Sequence, residues 1–368
     1  MTVVLVSVAL LCGLGVVMVY SASAVTSVRT KGTSWAIVSR QVMWLCLGVG
    51  AAYGAYRVHW RTWRDRIALP MMLVAVASLG YVALGVLFQK ATGASLPFVL
   101  TVNGATRWIG AGMVQFQPSD LAKPALILWL ARLLSEQRRD VSTWEGLKPI
   151  LFWSGLTCSL VVLGDDLGTT MLLGVVTIAM VFMAGAPLSK LGAIIGVSGG
   201  MGALAIVGLE SFRVTRILAF LEPDKYRQGA GWQLWQSQIG LASGGVFGTG
   251  PGLARSKWGF LPEAHTDFIL AVIGEELGLI GSLFVLGLFV AFMASGCAIG
   301  MRARTTFGRL VAFGITTWIG VQALINIGVT VGTLPTKGIT LPFVSYGGSS
   351  LLMSLFGVGI LLSVARAA

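Results

Sequence analysis

The sequence predicts an all-α integral membrane protein, a polytopic bundle of ten transmembrane helices with a large extracytoplasmic loop between helices 7 and 8. Its composition leads to this fold class. Hydrophobic residues make up 55% of the 368 residues, charged residues make up only 11%, and the mean hydropathy is +0.84. Soluble domains carry roughly 25% charged residues. This chain could not cover its surface with polar groups in water, so it must be solvated by lipid.

Ten stretches are apolar enough to cross a bilayer, which takes about 20 mostly apolar residues. They are residues 3–24, 37–56, 67–88, 119–134, 148–163, 168–186, 190–209, 267–296, 310–332 and 347–365. The first stretch is too long for the apolar part of a signal peptide, so we expect no cleavable signal. We predict a single transmembrane domain over residues 1–368, with residues 210–266 as an extracytoplasmic loop within it.

The net charge of +12 indicates how the chain crosses the membrane. With the N-terminus inside, thirteen Lys and Arg residues fall in cytoplasmic segments and five in short external loops. This agrees with the positive-inside rule and predicts that both termini are cytoplasmic. Nucleic-acid binding is disfavoured, because no basic stripe with interleaved aromatic residues lies outside the apolar stretches. No GxxxxGK[ST] phosphate loop occurs either.

The segment 261–268, Leu-Pro-Glu-Ala-His-Thr-Asp-Phe, places two carboxylates and an imidazole at the outer membrane boundary. Partial desolvation there would raise the pKa of a carboxylate toward the range useful for a general base. Asp267 is therefore the candidate catalytic residue, with Glu263 and His265 as candidate substrate ligands. Glu263 and Asp267 share one face if the eighth helix starts early. The alternative is that Asp267 only stabilises the helix start through the dipole.

Two further segments place cations near the outer face, namely Asn-Gly-Ala-Thr-Arg-Trp at 103–108 and Gln-Pro-Ser-Asp-Leu-Ala-Lys at 117–123. Pro118 suits the first turn of a helix, which would put Lys123 about one turn inside the span. A lysine at that depth needs an anion, either Asp120 or a ligand. Arg107 could hold a phosphate or merely anchor the chain at the membrane interface.

Hydroxyl groups and glycines fill residues 334–350. Backbone N–H groups at the start of the last helix, together with Ser345, Ser349 and Lys337, suit an oxyanion or a pyrophosphate. The alternative is close helix packing through small residues. The external segment 226–238 is rich in amides and tryptophan, which suits sugars and makes Gln228 a candidate ligand, although its tryptophans could form an interfacial belt.

Two other patterns are weaker. The glycine-rich run 244–252 resembles phosphate loops only superficially, because such loops follow a strand. The tight turn Gly-Asp-Asp-Leu-Gly at 164–168 has adjacent carboxylates that could bind a divalent cation, and a helix cap is the alternative. The four cysteines have no paired spacing and there are only two histidines, so the identity of any metal stays unknown.

Together these segments resemble the SEDS family of shape, elongation, division and sporulation proteins, over nearly the whole chain. The resemblance lies in residues 19–23, 40–41, 103–108, 117–123, 166–169, 261–278 and 336–350. Thr-Lys-Gly at 336–338, the run 341–348 and the segment 261–267 are more similar to the division branch than to the elongation branch. Asp165 departs from the pattern, because the family usually has proline at that position.

The resemblance implies a peptidoglycan glycosyltransferase that polymerises lipid II at the outer face of the bacterial cytoplasmic membrane, at the division septum. It implies that Asp267 is the essential acid and that Lys123 is the family's lysine. The implied partners are lipid II and undecaprenyl-pyrophosphate-linked glycan, a class B penicillin-binding transpeptidase and other divisome proteins. Mg²⁺ or Mn²⁺ could assist, although no cofactor is certain.

This chemistry agrees with the residues. Asp267 would accept a proton from the acceptor sugar hydroxyl, and Lys123 and Arg107 would lie near the pyrophosphate, with Lys337 as a weaker candidate. Attack opposite the leaving group would invert the anomeric carbon. A lipid II flippase and a non-catalytic divisome scaffold are the alternatives. The polar residues gather at the outer face instead of along a midplane path, which favours the polymerase.

Overall fold

The protein is a helical bundle in the computed structural model, which describes residues 1–102, 105–111, 114–136, 140–209, 211–222, 225–229 and 231–367. The helices are α1 (Thr2–Lys31), α2 (Ala36–Arg57), α3 (Trp60–Thr92), α4 (Pro118–Ser135), α5 (Trp144–Leu163), α6 (Leu167–Met183), α7 (Leu188–Leu209), α8 (Ser211–Leu221), α9 (Trp232–Gly244), α10 (Ile269–Arg302), α11 (Thr306–Val331) and α12 (Gly348–Ala367). A π-helical turn, Trp63–Ile67, lies near the start of α3, and a 3₁₀ turn spans Ser256–Trp258.

Seven helices within the described ranges are long and apolar enough to cross a membrane: α1, α2, α3, α5, α10, α11 and α12. Apolar side chains such as Leu47, Phe152 and Leu283 point outward and are more than half exposed. A surface of this kind is stable only against lipid. The predicted polytopic helical membrane protein is therefore confirmed.

The helix α4 lies at the centre of the bundle, against α3, α6 and α11. From Leu126 to Leu128 and again at Leu130 its side chains have no exposed surface. Only 18 residues long, it carries Asp120 and Lys123 in its first two turns. Its neighbours in the protein, not lipid, surround it.

A small antiparallel sheet is the exception to the all-α prediction. Strands β1 (Val99–Val102), β2 (Ala105–Ala111) and β3 (Val114–Phe116) follow one another in the order β1-β2-β3. Hydroxyls of Thr101 and Thr106 form a 2.7 Å hydrogen bond across β1 and β2. Asn103 and Gly104 of the predicted cation segment lie outside the described residues. The sheet matters because β2 presents Arg107 to the interior.

The predicted external loop contains two helices, α8 and α9, and then the glycine-rich run 244–252. Glu210, Pro223 and Asp224 in this part of the chain lie outside the described residues. The run packs along α10 where that helix breaks at Gly278, whose φ is 68° and ψ −165°. Hydrogen bonds join the two segments: Thr249 N to Glu275 O, Gly250 N to Glu276 O, Leu279 N to Gly245 O and Ile280 N to Val246 O. The backbone hydrogen bonds between this run and α10 thus account for the glycine-rich sequence.

Two adjacent carboxylates on α10 anchor the next part of the loop. Glu275 accepts hydrogen bonds from Arg255 N (2.7 Å) and Ser256 Oγ (2.6 Å), and Glu276 accepts one from Ser21 Oγ on α1 (2.6 Å). Both glutamates are at least 98% buried, being 2% and 1% exposed. Buried carboxylates persist only when they are hydrogen-bonded or paired. These two acidic residues therefore hold the chain that leads to segment 261–268.

Gly278→Ala should lower the midpoint of thermal unfolding. An added Cβ would lie 2.4 Å from both Gly248 N and Val246 O, which are backbone atoms that cannot move aside. The backbone conformation alone costs about 1–3 kcal/mol for a residue with a side chain. The control is Gly287→Ala on the same helix, where nothing lies within 4 Å. An equal midpoint for the two variants would contradict the assigned role of the break.

Candidate functional site

A single cavity of about 820 Å³ gathers most of the predicted site residues. It lies between β2, the first turns of α4 and α6, helix α8, segment 261–268 and residues 335–350. The predicted site residues that line it are Asp267, Lys123, Arg107, Glu263, His265, Lys337 and Ser349. Residues from four distant parts of the sequence therefore meet at one place.

Asp267 lies two residues before α10, which begins at Ile269. Phe268 occupies the N-cap position and no side chain caps the helix, so Asp267 is not a capping residue, while its position two residues before α10 is still compatible with the alternative of an interaction with the helix dipole. The carboxylate faces Gly338, where an added Cβ would lie only 3.3 Å from Asp267 Oδ2. A glycine at 338 leaves the space beside the carboxylate open to the cavity.

The pKa of Asp267 is raised to about 7, mainly by burial and secondly by the negative charge of Glu263. Arg107 and Arg216 act in the opposite direction, because positive charge favours the carboxylate form. A carboxyl group with a pKa near the working pH can both accept and release a proton. Asp267 is thus well suited to act as a base at neutral pH.

The segment 261–268 is not helical, so the predicted shared helical face of Glu263 and Asp267 is wrong. Glu263 has a φ of 57°, and its side chain accepts a hydrogen bond from Thr266 Oγ1 at 2.8 Å. The segment forms turns in place of an early helical turn, and Phe268 N donates a hydrogen bond to Glu263 O. Both carboxylates still reach the same cavity.

The imidazole of His265 lies 5.6 Å from the ring of Tyr346, measured between centroids. Burial lowers the pKa of His265, and the charge of Glu263 opposes that effect. The backbone also joins here, because Tyr346 N donates to His265 O at 2.9 Å. His265 therefore contributes a neutral ring and a backbone link to residues 335–350.

Lys123 is paired inside the protein. Its Nζ lies 2.8 Å from Asp120 Oδ1 and 3.4 Å from Gln322 Oε1, and Ser349 Oγ donates to Asp120 Oδ2 at 2.6 Å. Lys123 and Asp120 are each only 4% exposed. Lys123 is therefore paired with Asp120, and it also lines the cavity, where a ligand could approach it.

Other cations surround the opening near Asp267. The Nε atom of Arg107 is buried, and the described residues give it no hydrogen-bond partner. Arg216 on α8 lines the same cavity but was not predicted from the sequence. Arg40 was named only within a resemblance motif, and it also reaches the cavity, from α2. Several positive charges thus line one cavity that also contains Asp267.

Ser345 and Gln228 are not among the described residues that line the cavity, unlike the other predicted ligands. Ser345 is 3% exposed, and its Oγ accepts a hydrogen bond from Leu341 N at 2.8 Å. Its hydroxyl therefore stabilises a turn. Gln228 is exposed on the stretch between α8 and α9. Direct substrate contact by these two side chains receives no support from the geometry.

The turn at 164–168 caps a helix. Asp166 accepts from Thr169 N (3.0 Å), Gln117 Nε2 (2.8 Å) and Ser119 Oγ (3.0 Å), so it caps α6 and ties it to the start of α4. Asp165 has a φ of 60°, which a proline ring forbids. The backbone of this turn must therefore differ from that of any relative with proline at position 165.

The described residues contain no group of three or more His, Cys, Asp or Glu side chains placed to hold a metal ion. Mg²⁺ is often bound through one or two carboxylates together with substrate phosphates, which needs no such group.

Comparisons with known proteins place the chain among cell cycle proteins. A family model described as "Cell cycle protein", for FtsW, RodA and SpoVE, matches residues 1–368. A relative from Geobacter metallireducens, named "Probable peptidoglycan glycosyltransferase FtsW", is 39% identical over 366 residues, which are 99% of this chain and 94% of the relative. A relative of the same name from Coxiella burnetii is 39% identical over 361 residues, or 96% and 93% of the two chains.

Solved structures agree with this result. One described as "Structural coordination of polymerization and crosslinking by a peptidoglycan synthase complex" matches with a TM-score of 0.77 and 26% identity, over 99% of this chain and 96% of the other. The rod shape determining protein RodA of Thermus thermophilus matches with a TM-score of 0.71 and 27% identity, over 99% and 95%. The chain therefore belongs to the FtsW, RodA and SpoVE family of cell cycle proteins, which is the SEDS family.

Proposed function

We propose that this chain is a peptidoglycan glycosyltransferase that polymerises lipid II into glycan strands for septal wall synthesis in cell division. The observation that carries this function is the Asp267 carboxylate, which faces a cavity lined by cations and has a pKa of about 7. Relatives named peptidoglycan glycosyltransferase FtsW are 39% identical to the chain, whereas the RodA structure is 27% identical. The division branch therefore fits better than the elongation branch.

In the proposed reaction, Asp267 is the general base. The acceptor sugar hydroxyl forms a bond to the anomeric carbon of the donor, and its proton moves to the Asp267 carboxylate. The bond between that carbon and the pyrophosphate oxygen breaks, and its electron pair leaves with the lipid pyrophosphate. Because the attack comes from the side opposite the leaving group, the anomeric carbon is inverted.

The cations lining the cavity would stabilise the charge that develops on the leaving group. Arg107 is the best placed of them, because its buried Nε has no hydrogen-bond partner among the described residues. Lys123 and Lys337 line the same cavity, as do Glu263, His265 and Ser349, which would contact the sugars. A divalent cation could add to this charge. Ser345 and Gln228 would act only indirectly, through turn and loop structure.

The proposed topology has ten spans within one domain, residues 1–368, and both termini in the cytoplasm. A helix occurs at each of the ten predicted positions, including α4, α6 and α7. Residues 210–266, with α8, α9 and the glycine-rich run, would then form the extracytoplasmic loop. This orientation places the cavity at the outer face of the cytoplasmic membrane, where lipid-linked substrates can enter from the bilayer.

A class B penicillin-binding transpeptidase is the partner that this function requires, since glycan strands must be crosslinked. A structural relative is described as part of a peptidoglycan synthase complex that coordinates polymerization and crosslinking, which supports such a pairing. Other divisome proteins would direct the complex to the septum. A lipid II flippase and a non-catalytic scaffold are the other candidate functions, and neither requires a base at Asp267.

The polymerisation rate should depend on the ionisation of Asp267. Because burial raises the pKa of this carboxyl to about 7, the protonated, inactive form predominates below that pH. The rate should therefore fall about tenfold per pH unit on the acid side, as expected for a single essential base. Initial rates with purified lipid II from pH 5 to 9 measure this. A rate that stays level down to pH 5 would contradict a base with a raised pKa.

Asp267→Asn should lower the polymerisation rate at least about 100-fold, which is the lower range for loss of a general base. The matched control is Asp65→Asn, on an exposed carboxylate paired with Arg64 far from the cavity, and it should keep the normal rate. The assay uses the full chain with its transpeptidase and lipid II. Glycan synthesis at the normal rate by Asp267→Asn would overturn the mechanism, and none by the wild type would favour the flippase.

Lys123→Met should reduce both activity and stability. The variant leaves Asp120 as an unpaired buried charge, which costs about 3–5 kcal/mol in comparable ion pairs. The double variant Asp120→Asn with Lys123→Met removes that charge and should regain most of the unfolding midpoint while staying inactive. Recovery of activity in the double variant would show that Lys123 only balances Asp120. Lys148→Met, in the exposed pair with Glu145, is the control for stability.

A further inference from the structure

Three side chains on α11 form a buried polar stripe, and none of the three is a predicted site residue. Trp318, Gln322 and Asn326 are spaced four residues apart, so they lie on one face of the helix. Each is 1% exposed. A buried amide is costly in a membrane-spanning helix where a polar atom lacks a partner, as Asn326 Oδ1 does among the described residues, so the bonds that these groups do make indicate their purpose.

Asn326 joins the two segments that form the floor of the cavity. Its Nδ2 donates to Asp267 O at 2.7 Å and to Ile339 O at 2.7 Å. Carbonyl oxygens only accept, so the amide nitrogen must face both of them and the orientation of the side chain is fixed. Ile339 directly follows Gly338, the residue that faces the Asp267 carboxylate. One amide thus fixes the backbone of Asp267 relative to the backbone next to Gly338, which faces the Asp267 carboxylate.

Gln322 holds the adjoining residue in the same way. Its Nε2 donates to Thr340 O at 3.0 Å, while its Oε1 accepts from Trp318 Nε1 at 2.9 Å and from Lys123 Nζ at 3.4 Å. The stripe therefore connects the Lys123 ion pair to residues 339–340. The neutral amides of Gln322 and Asn326 thus hold two consecutive residues, Thr340 and Ile339. These two residues lie between the Lys123 ion pair and Asp267.

We propose that Asn326 is a positioning residue for glycosyl transfer, which sets the placement of the Asp267 carboxylate by holding the backbone of Asp267 and of Ile339 together. This inference rests on the proposed function. Asn326 is not among the described residues that line the cavity, so it acts through Asp267 and not by touching substrate. A backbone hydrogen bond from Tyr346 N to His265 O also joins the two segments, two residues from Asp267.

Loss of the amide should affect the chemical step more than substrate binding. Asn326→Leu has a similar shape but leaves two buried carbonyls without a donor, so the segments would separate. A displacement of about 1 Å can cost about 100-fold in rate. We expect kcat to fall about 10- to 100-fold, and KM for lipid II to change less than about threefold, because the cavity walls and cations remain.

The pH profile distinguishes positioning from simple loss of folded protein. Burial is the main cause of the raised pKa of Asp267, so a carboxylate that moves toward solvent should show an acid limb shifted to lower pH. The charged or titratable groups that face Asp267 from the surrounding elements stay the same: Glu263, His265, Arg107, Arg216, Asp166 and Lys337. A smaller folded fraction would instead lower the polymerisation rate by the same factor at every pH and leave the acid limb of the pH profile in place.

The experiment compares wild type, Asn326→Leu and Thr316→Val as full chains with the transpeptidase, by polymerisation of lipid II and thermal unfolding. Thr316 is a buried control on the same helix, and its hydroxyl donates a hydrogen bond within α11, to Ala312 O. Normal kcat in Asn326→Leu, or a loss equal to its unfolded fraction with an unmoved acid limb, would overturn the inference. An inactive wild type would instead refute the proposed function.

A second variant covers the case in which Asn326→Leu does not fold. Asn326→Asp keeps the size of the side chain, and a buried carboxyl takes the neutral form, which donates one hydrogen bond instead of two. We expect a folded protein with a smaller fall in kcat and a smaller shift of the acid limb than in Asn326→Leu. Wild-type kcat and an unmoved acid limb in Asn326→Asp would overturn the inference.

Discussion

Polar backbone that leaves a helix inside a membrane protein must find its hydrogen-bond partners within the protein. This constraint shapes the half of the molecule that contains the cavity. Segments 244–268 and 332–347 are largely non-helical yet packed against α10 and α11. Their carbonyl and N–H groups are satisfied by the opened turn at Gly278, by Glu275 and Glu276, and by Gln322 and Asn326. The cavity exists because these side chains replace water as partners.

The two ends of the cavity differ in how their charges are balanced. The charge of Lys123 is balanced by Asp120, and Gln322 and Ser349 complete a hydrogen-bonded group around this ion pair. Around Asp267 charges of both signs are gathered, since Glu263 raises the pKa of the carboxyl while Arg107 and Arg216 lower it. The hydrogen-bonded group at Lys123 fixes geometry, whereas the mixed charges at Asp267 set the proton affinity of its carboxyl.

The sequence alone predicted the helices well, because apolar length is a local property. It also predicted that Asp267, Lys123, Arg107 and Lys337 lie at the same end of the bundle, and all four line one cavity. It could not give the sheet 99–116, whose short strands have no long apolar pattern, or the contribution of Arg216, whose position depends on how α8 folds back. Ser345 was assigned to ligand binding because a hydroxyl near a helix start can serve a ligand or a turn equally well. The amides of α11 were missed, because their partners are backbone carbonyls.

The central position of α4 has a consequence for biosynthesis. Its buried polar residues find their partners late: Gln322 is 199 residues beyond Lys123, and Ser349 is 229 residues beyond Asp120. Until Gln322 and Ser349 leave the ribosome, Lys123 and Asp120 can pair with each other but not with these two later partners. Helix α4 therefore cannot reach its final surroundings when it is made. It has to await α11 and α12, which are made well after α4.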